Sequence, residues 1–137
     1  MSDRRVIRVA DVMEFDYILI DGLETVAEAL RQMGEQDAHF AIVKKRTDDD
    51  EFGMLLVSDI AKQVLAPHKA PDRVNVYEIM AKPVLGVLPD MDIRYCARLF
   101  ERFGVSIAPV IEAGEIKGVV TYGQLVLKGL AKLAEPS

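Results

Sequence analysis

The densest group of residues that could do chemistry is an acidic run. Asp48, Asp49, Asp50 and Glu51 could together bind a cation. The run lacks the Asp-x-Asp-x-Asp-Gly spacing of a calcium loop. Four adjacent carboxylates are more typical of a solvated loop tip. We therefore predict that no metal binds there.

Histidine and cysteine could supply a nucleophile or a soft metal ligand. His39 and His68 have no second ligand four residues away and no cysteine nearby. Cys96 is the single cysteine, and its place in an apolar helical pattern predicts a small core residue. No Ser-His-Asp, paired-carboxylate or glycine-rich phosphate-loop arrangement is present in the sequence. We predict no catalytic residues and a protein that is not an enzyme.

Two further candidates stand where helices are predicted to begin. Asp59 follows Ser58, which can serve as a helix N-cap, and a carboxylate there favours the helix dipole with or without a ligand. Thr121 ends a β-rich run. Its hydroxyl could contact a ligand or could simply belong to a strand end or cap.

These candidates lie in a sequence that repeats itself. VADVM at Val9–Met13 recurs as VYEIM at Val76–Met80, an offset of 67 residues. The same offset relates four further pairs: Val26 and Ile93, Ala29 and Cys96, Met33 and Phe100, and Val43 and Val110. A repeat of this length indicates two similar half-domains rather than solenoid units.

Each half predicts one order of elements after a short helical turn. A strand leads to a capped helix, which begins with a Thr25-x-x-Glu28 capping box in the first half and with Asp92 as N-cap in the second. The helical stripes are predicted from apolar spacing. They comprise Val26, Ala29, Leu30 and Met33 in the first half, and Ile93, Cys96, Ala97 and Phe100 in the second.

A hairpin and a closing helix complete each half. The predicted hairpin strands are 40–44 with 53–57, and 108–111 with 116–121. Nine residues separate Val43 from Gly53, against seven between Val110 and Gly118. The first hairpin is therefore predicted to carry a two-residue insertion.

The predicted fold class is α/β (α+β), with two β-α-β-β-α repeats packed with pseudo-two-fold symmetry. We assign residues 1–66 to the first repeat with its N-terminal segment and residues 76–137 to the second repeat. Residues 67–75 are polar, contain two prolines, and are predicted to be a linker.

Composition narrows the class of protein. Half of the 137 residues are hydrophobic and 28% are charged, which is typical of a globular domain. The net charge of −5 argues against nucleic acid as a partner. The sequence shows neither a secretory signal nor an apolar run long enough to span a membrane. We expect a cytoplasmic protein.

From about Val9 to Leu130 the order of these motifs resembles a tandem CBS-domain pair, the cystathionine-β-synthase domain doublet or Bateman module. The matching features are the opening V-x-x-x-M segments, the capped helices, the stretch 105–110 (VSIAPV), and the repeat ends at 53–59 and 118–121. The resemblance implies a regulatory module that senses a small ligand, commonly an adenine nucleotide held in clefts between the repeats.

The usual family signature at each repeat end is Thr or Ser, two residues, then Asp. Here it is split, since Leu56 precedes Asp59 and Thr121 precedes Gln124. The resemblance implies that Thr121 contacts phosphate near a helix N-terminus and that Asp59 accepts the ribose hydroxyls. Gln124 would be a weaker, neutral acceptor.

The resemblance also implies mainly apolar adenine pockets with backbone contacts. The positions for the first cleft are Asp16, Tyr17, Ile18, Ala38, His39, Phe40 and Ala41. Those for the second cleft are Lys82, Pro83, Val84, Val105, Ser106, Ile107, Ala108 and Pro109. Lys82 is expected to offset phosphate charge, whereas Asp16 opposes an anion at the first cleft.

Ligand and partner expectations follow from the resemblance. AMP, ADP, ATP or S-adenosylmethionine could bind, with no required cofactor, and the module would form a homodimer that acts on an unidentified regulated protein. The alternative is a ligand-free interaction or scaffold module whose clefts have lost nucleotide binding. A small enzyme is a third hypothesis, which the absent catalytic arrangement opposes.

Overall fold

The computed structural model describes residues 5–82 and 85–136, which form two compact units. The N-repeat unit comprises the described residues of 17–84, and the C-repeat unit comprises those of 1–16 and 85–137. The units therefore do not coincide with the repeats predicted from the sequence. Segment 5–16 belongs with the second repeat, and the predicted linker 67–75 belongs with the first.

Each repeat has one helix directly before a two-stranded hairpin and one helix directly after it. The helices are α1 (Val9–Val12), α2 (Val26–Glu35), α3 (Val57–Ile60), α4 (Ile93–Phe103) and α5 (Ala131–Leu133). The strands are β1 (Leu19–Ile20), β2 (Phe40–Val43), β3 (Gly53–Leu56), β4 (Ile107–Glu112) and β5 (Glu115–Thr121). Two 3-10 turns occupy Pro71–Arg73 and Val76–Glu78.

The last helix of each repeat is partly π-helical. π-helical turns continue α3 over Ala61–Leu65 and lead into α5 over Gln124–Leu130. We call residues 57–65 the first closing helix and residues 122–133 the second closing helix. No helix in residues 5–82 and 85–136 has the length and apolar character needed to cross a membrane.

The two sheets are built alike. In the N-repeat unit the strand order is β1-β2-β3, with β1 parallel and β3 antiparallel to β2. In the C-repeat unit β4 and β5 form an antiparallel hairpin, and an isolated parallel bridge joins Val87 to Val110. Val43 pairs with Gly53, and Val110 pairs with Gly118. This register confirms the two-residue insertion in the first hairpin.

The predicted helical stripes bury most of their members. Val26, Ala29 and Met33 are buried, but Leu30 is 41% exposed, so its assignment to the core is wrong. In α4, Ile93, Cys96 and Phe100 are buried together. Burial raises the pKa of the Cys96 thiol to about 11. This confirms Cys96 as a core residue rather than a reactive thiol.

Helix capping agrees with the sequence only in part. The Thr25 hydroxyl accepts the Glu28 N–H at 3.1 Å. The Glu28 carboxylate, however, accepts hydrogen bonds from Arg31 and Gln32, so the described bonds form one half of the predicted capping box. Asp92 caps α4 as predicted, accepting the Arg94 N–H at 2.8 Å.

The N-cap of the first closing helix is Leu56, and the prediction of Ser58 is wrong. The Asp59 carboxylate reaches back to accept the Leu56 N–H at 3.0 Å. That bond satisfies the amide of the N-cap residue, which is the part of a capping box that the side chain three residues later supplies. The helix therefore begins two residues earlier than the Ser58 hydroxyl suggests.

Each unit contains the opening segment of the other repeat. Glu14 of the first repeat forms two backbone hydrogen bonds with Val119, at 2.8 and 2.9 Å. Ala81 of the second repeat forms the equivalent pair with Met54, at 2.9 and 3.1 Å. The opening segments are thus exchanged between the repeats, which explains why the compact units differ from the sequence repeats.

A glycine makes room for each exchanged segment. A Cβ on Gly118 would lie 2.6 Å from the Glu14 carbonyl oxygen and 3.1 Å from the Met13 sulfur. A Cβ on Gly53, the equivalent position, would lie 2.7 Å from the Met80 sulfur. The backbone can approach this closely only where no side chain intervenes.

We expect Gly118→Ala to destabilise the fold more than Gly53→Ala does. The first substitution must displace the Glu14 backbone, whereas the second meets the end of a flexible Met80 side chain. Overpacking of this kind costs about 1–3 kcal/mol. Denaturant unfolding of the two variants measures the difference.

Gly34→Ala is the matched control for this comparison. Gly34 lies in α2 with nothing within 4 Å of its Cβ position. The substitution should stabilise the protein by about 0.4–1 kcal/mol, because it lowers the entropy of the unfolded chain. Equal losses in Gly118→Ala and Gly53→Ala would contradict the role given to the Glu14 carbonyl.

Candidate functional site

Both units bring the end of a hairpin against the start of a closing helix. In the N-repeat unit Phe40 pairs with Leu56, and the Val57 N–H donates to the His39 carbonyl at 3.1 Å. The site residues predicted for segments 38–41 and 56–59 are therefore neighbours.

The C-repeat unit repeats this arrangement at equivalent positions. Ile107 pairs with Thr121, and the Tyr122 N–H donates to the Ser106 carbonyl at 3.3 Å. Segments 105–109 and 121–124 are therefore neighbours as well.

Several predicted adenine contacts use side chains that face the core. Ile18 is 6% exposed, and Ala41 and Ala108 are fully buried. The Ile18 carbonyl accepts the Ile42 N–H at 2.8 Å, which holds residues 17–18 beside β2. The side chains of Ile18, Ala41 and Ala108 stabilise the units, so contact with a ligand from these positions would have to come from the backbone.

Two other predicted residues fall in a different unit from their expected neighbours, and two lie outside the described residues. Lys82 is in the N-repeat unit, whereas Thr121, the residue it was expected to assist, is in the C-repeat unit. Asp16 is assigned to the C-repeat unit, and residues 17–41 are assigned to the N-repeat unit. Pro83 and Val84 lie outside the described residues.

The split signature has the same geometry in both repeats. Asp59 Oδ2 accepts the Leu56 N–H at 3.0 Å, and Gln124 Oε1 accepts the Thr121 N–H at 2.8 Å. The Gln124 amide oxygen therefore fills the capping role of the Asp59 carboxylate. A neutral acceptor suffices for this bond.

Thr121 makes two further bonds with Gln124. The Thr121 hydroxyl donates to Gln124 Oε1 at 3.2 Å and accepts the Gln124 N–H at 3.3 Å. The first amides of the second closing helix are thus satisfied inside the protein. A phosphate bound here would have to compete with the Gln124 side chain for the Thr121 hydroxyl and amide.

The same cap occurs at the two opening segments. Asp11 accepts the Arg8 N–H at 2.9 Å, and Glu78 accepts the Asn75 N–H at 2.7 Å. An acceptor three residues beyond the capped amide is therefore a recurring structural device in this chain. Asp59 has a structural role whether or not it contacts a ligand.

The insertion loop of the first hairpin forms a site that the sequence did not reveal. Lys82 donates to Asp50 at 2.5 Å, and the Arg46 N–H donates to the same carboxylate at 2.9 Å. A cavity of about 600 Å³ adjoins this pair. Its lining residues are Arg46, Thr47, Asp49, Asp50, Tyr77, Met80 and Lys82. The signals in the sequence were the insertion and the acidic run, which is interpreted there as a solvated loop tip.

The acidic run shows no metal-binding geometry in the part of the chain that the structure describes. There, no group of three or more His, Cys, Asp or Glu residues is placed to hold an ion. Asp50 instead neutralises Lys82. Their side chains are 22% and 26% exposed, so the pair is only partly shielded from water.

A family model described as the CBS domain matches residues 76–129, which cover most of the second repeat. The hexameric CBS-CP12 protein of bloom-forming cyanobacteria is 31% identical to this chain, with a TM-score of 0.89. The match covers 98% of this chain and 78% of that one. The chain belongs to the CBS-domain family. Proteins of this family are generally regulatory rather than catalytic.

Two other proteins are similar to this CBS pair, one in sequence and one in fold. L-aspartate semialdehyde sulfurtransferase of Methanosarcina acetivorans is 31% identical over 120 residues, which are 82% of this chain and 22% of that protein. A CBS-domain pair solved with 5′-methylthioadenosine and S-adenosyl-L-methionine is 20% identical. Its TM-score is 0.79, and the match covers 93% of this chain and 99% of that one. At that identity the similarity is one of fold.

The CBS pair is shorter than its curated relatives. It spans 41% of an uncharacterised protein of Thermofilum pendens and 59% of one of Methanocaldococcus jannaschii. The activities and partners of the longer proteins are therefore not assigned to this chain.

The Asp50 carboxyl should titrate well below an ordinary aspartate. The hydrogen bond from Lys82, followed by those from the backbone, lowers its pKa from 3.8 to about 2. The stabilisation from this ionised carboxylate is present above pH 3.8 and is lost as the pH falls towards 2. A carboxyl-carbon NMR titration of Asp50 measures the value directly.

Two variants of Lys82 test the cause of this shift. In Lys82→Met the inflection should move up towards the ordinary value, because the largest cause is removed. Lys82→Arg, which keeps the positive charge, should preserve most of the depression. An unchanged titration in Lys82→Met would show that the ammonium does not hold the carboxylate in solution.

Proposed function

We propose that this CBS pair is a regulatory module that senses an adenine nucleotide or a related adenosine ligand. One observation supports the proposal above others: both repeats place a polar residue at the start of the closing helix, next to the backbone of a hairpin end. A relative of the same fold was solved with adenosine ligands. The CBS pair would act on a regulated protein, and we expect both in the cytoplasm.

The phosphate end of the ligand should prefer Thr121. Its hydroxyl stands at a helix start, where amides and the helix dipole favour an anion. The equivalent residue, Leu56, offers no polar side-chain atom. Because Gln124 already bonds the Thr121 hydroxyl and amide, the ligand must replace these bonds, and its affinity will be moderate.

The ribose should prefer Asp59. Its Oδ2 atom holds the Leu56 amide. The other carboxylate oxygen accepts no hydrogen bond from the described residues, so it can accept one from a sugar hydroxyl. Ribose binding at Asp59 in the N-repeat unit is therefore the alternative to phosphate binding at Thr121 in the C-repeat unit. Lys82 can contribute to phosphate binding only by leaving Asp50.

The competing function is a ligand-free interaction module. One observation favours it: the helix-start amides of Leu56, Val57, Thr121 and Tyr122 all have acceptors within the protein. A fold that satisfies these groups needs no ligand to complete it. Ligand sensing and ligand-free interaction are therefore distinguished by a binding experiment.

A thermal-shift screen with AMP, ADP, ATP, S-adenosylmethionine and NAD separates the two functions. A ligand that binds only the native state raises the free energy of unfolding by RT ln(1 + [L]/Kd), about 2.7 kcal/mol at a hundredfold excess over Kd. We expect at least one adenosine compound to raise the Tm. No shift with any of the five at millimolar concentration would establish the interaction module instead.

Substitution of Thr121 should weaken nucleotide binding more than substitution of Asp59. A hydrogen bond to a charged phosphate contributes about 1.5–3 kcal/mol, so Thr121→Ala should lower the affinity roughly ten- to a hundredfold. Thr121→Ser keeps the hydroxyl and is the matched control. Titration calorimetry with the nucleotide found in the screen measures all variants.

Asp59 needs a control for its structural bond. Asp59→Ala removes both the carboxylate and the cap on Leu56, whereas Asp59→Asn keeps an oxygen that can cap the helix, as Gln124 does. Both should reduce affinity less than Thr121→Ala. The reverse order would move the principal contact to the ribose and the first repeat.

We also propose that the CBS pair self-associates as a homodimer. Exposed apolar side chains on the helices support association, among them Leu65 and Leu127, which are both 76% exposed. A relative is hexameric, so a larger ring is the alternative. Native mass spectrometry of the full chain distinguishes monomer, dimer and hexamer.

A further inference from the structure

The cavity beside the first hairpin loop has walls that hydrogen bonds hold in place. The Arg46 N–H donates to Asp50 Oδ2 at 2.9 Å, and the Asp50 N–H donates to the Thr47 carbonyl at 3.1 Å. The Lys82 ammonium joins the same Asp50 carboxylate to residues 76–82 on the other side of the cavity. The volume of about 600 Å³ lies within the range of small-molecule sites, about 300–1,000 Å³.

Tyr77 and Met80 give this cavity an apolar side. The Tyr77 N–H donates to the Gly22 carbonyl at 3.0 Å, and the Met80 N–H donates to the Val76 carbonyl at 3.0 Å. The Tyr77 side chain is largely open to solvent, whereas Met80 packs against the core of the N-repeat unit. The backbone is therefore fixed, while the ring and the thioether offer apolar surface that a ligand can cover.

Two charged side chains of the cavity have no partner in the described part of the chain. The Arg46 guanidinium and the Asp49 carboxylate form no hydrogen bond or ion pair there, with each other or with another residue. The other two charges, those of Lys82 and Asp50, neutralise each other. One cation, one anion and an apolar surface therefore remain for a ligand.

We propose that this cavity binds a free α-amino acid with an apolar side chain. The Arg46 guanidinium donates two parallel hydrogen bonds to the α-carboxylate. The Asp49 carboxylate accepts a hydrogen bond from the α-ammonium, and the apolar side chain of the ligand packs on Tyr77 and Met80. The two positive and two negative side chains of the cavity sum to zero charge, so a zwitterion is favoured over a lone anion or cation.

The amino-acid site is separate from the segments proposed to bind a nucleotide. Along the first hairpin, Phe40 pairs with Leu56 at one end and Val43 pairs with Gly53 at the other. The cavity adjoins the loop that follows Val43, whereas Asp59 lies beyond the Phe40 end. Binding of an amino acid therefore goes beyond the proposed nucleotide sensing and does not depend on it.

Methionine-methyl NMR titrations of the full chain measure both affinity and location. The ligands are L-valine, L-leucine, L-isoleucine, L-methionine and L-phenylalanine. At least one should shift the Met80 methyl signal and leave that of Met13, the equivalent residue of the other opening segment, unchanged. The N-acetyl and the amide form of the tightest ligand should each bind roughly ten- to a hundredfold more weakly, because each removes a charged hydrogen-bonding group. The absence of a Met80 shift with all five at millimolar concentration would overturn the proposal.

Two exposed substitutions assign the ends of the ligand. Arg46→Gln should abolish the preference for the free amino acid over its amide, and Asp49→Asn should abolish the preference over its N-acetyl form. Both keep the backbone amide of residue 46 that holds the loop. Asp48→Asn is the matched control, since Asp48 is exposed and does not line the cavity, and it should leave the affinity unchanged. Equal losses in Asp48→Asn and Asp49→Asn, or blocked ligands that bind the unmodified chain as tightly as the free amino acid, would overturn the assignment.

Discussion

The structure depends on a backbone contact between segments far apart in the chain. Glu14 pairs with Val119, and Ala81 pairs with Met54. Each hairpin is therefore extended by a short backbone segment from the other repeat. Gly118 and Gly53 permit this approach. The hairpin register, the packing of the opening methionines and the division into compact units all follow from these two contacts. Neither unit is a contiguous copy of one repeat.

A second constraint acts at the helix starts. Asp59 and Gln124 bond backbone amides three residues earlier, and Asp11 and Glu78 do the same at the opening segments. Such bonds favour a Glu, Gln or Asp at these positions for structural reasons alone. Asp59 and Gln124 therefore cap the closing helices, and the ligand contact proposed for Asp59 would be a second role. If the proposed ligand contact forms, a change at Asp59 alters stability and binding together, which makes conservative variants such as Asp59→Asn more informative than alanine.

Internal repetition predicted much of the fold. The offset of 67 residues, reduced to 65 after the insertion, relates Val43–Gly53 to Val110–Gly118 as they pair in the two hairpins. Repetition could not predict the exchange of opening segments. The two segments are similar in sequence, so either of them could pair with either hairpin. The serine at position 58 predicts an N-cap there, whereas the helix begins two residues earlier, where the Asp59 carboxylate bonds the Leu56 amide. The Lys82–Asp50 pair also escaped prediction, since loop geometry decides which charges meet.

The exchange also sets the order in which the chain can fold during synthesis. Residues 5–16 leave the ribosome early, but Val119 and the Leu133 carbonyl, which Arg5 contacts at 2.6 Å, emerge more than a hundred residues later. Contacts of such long sequence separation close slowly. The N-repeat unit, by contrast, is continuous from residue 17 to residue 84 and can form first. Meanwhile Val9 and Val12, buried in the finished protein, stay exposed to water and to chaperones.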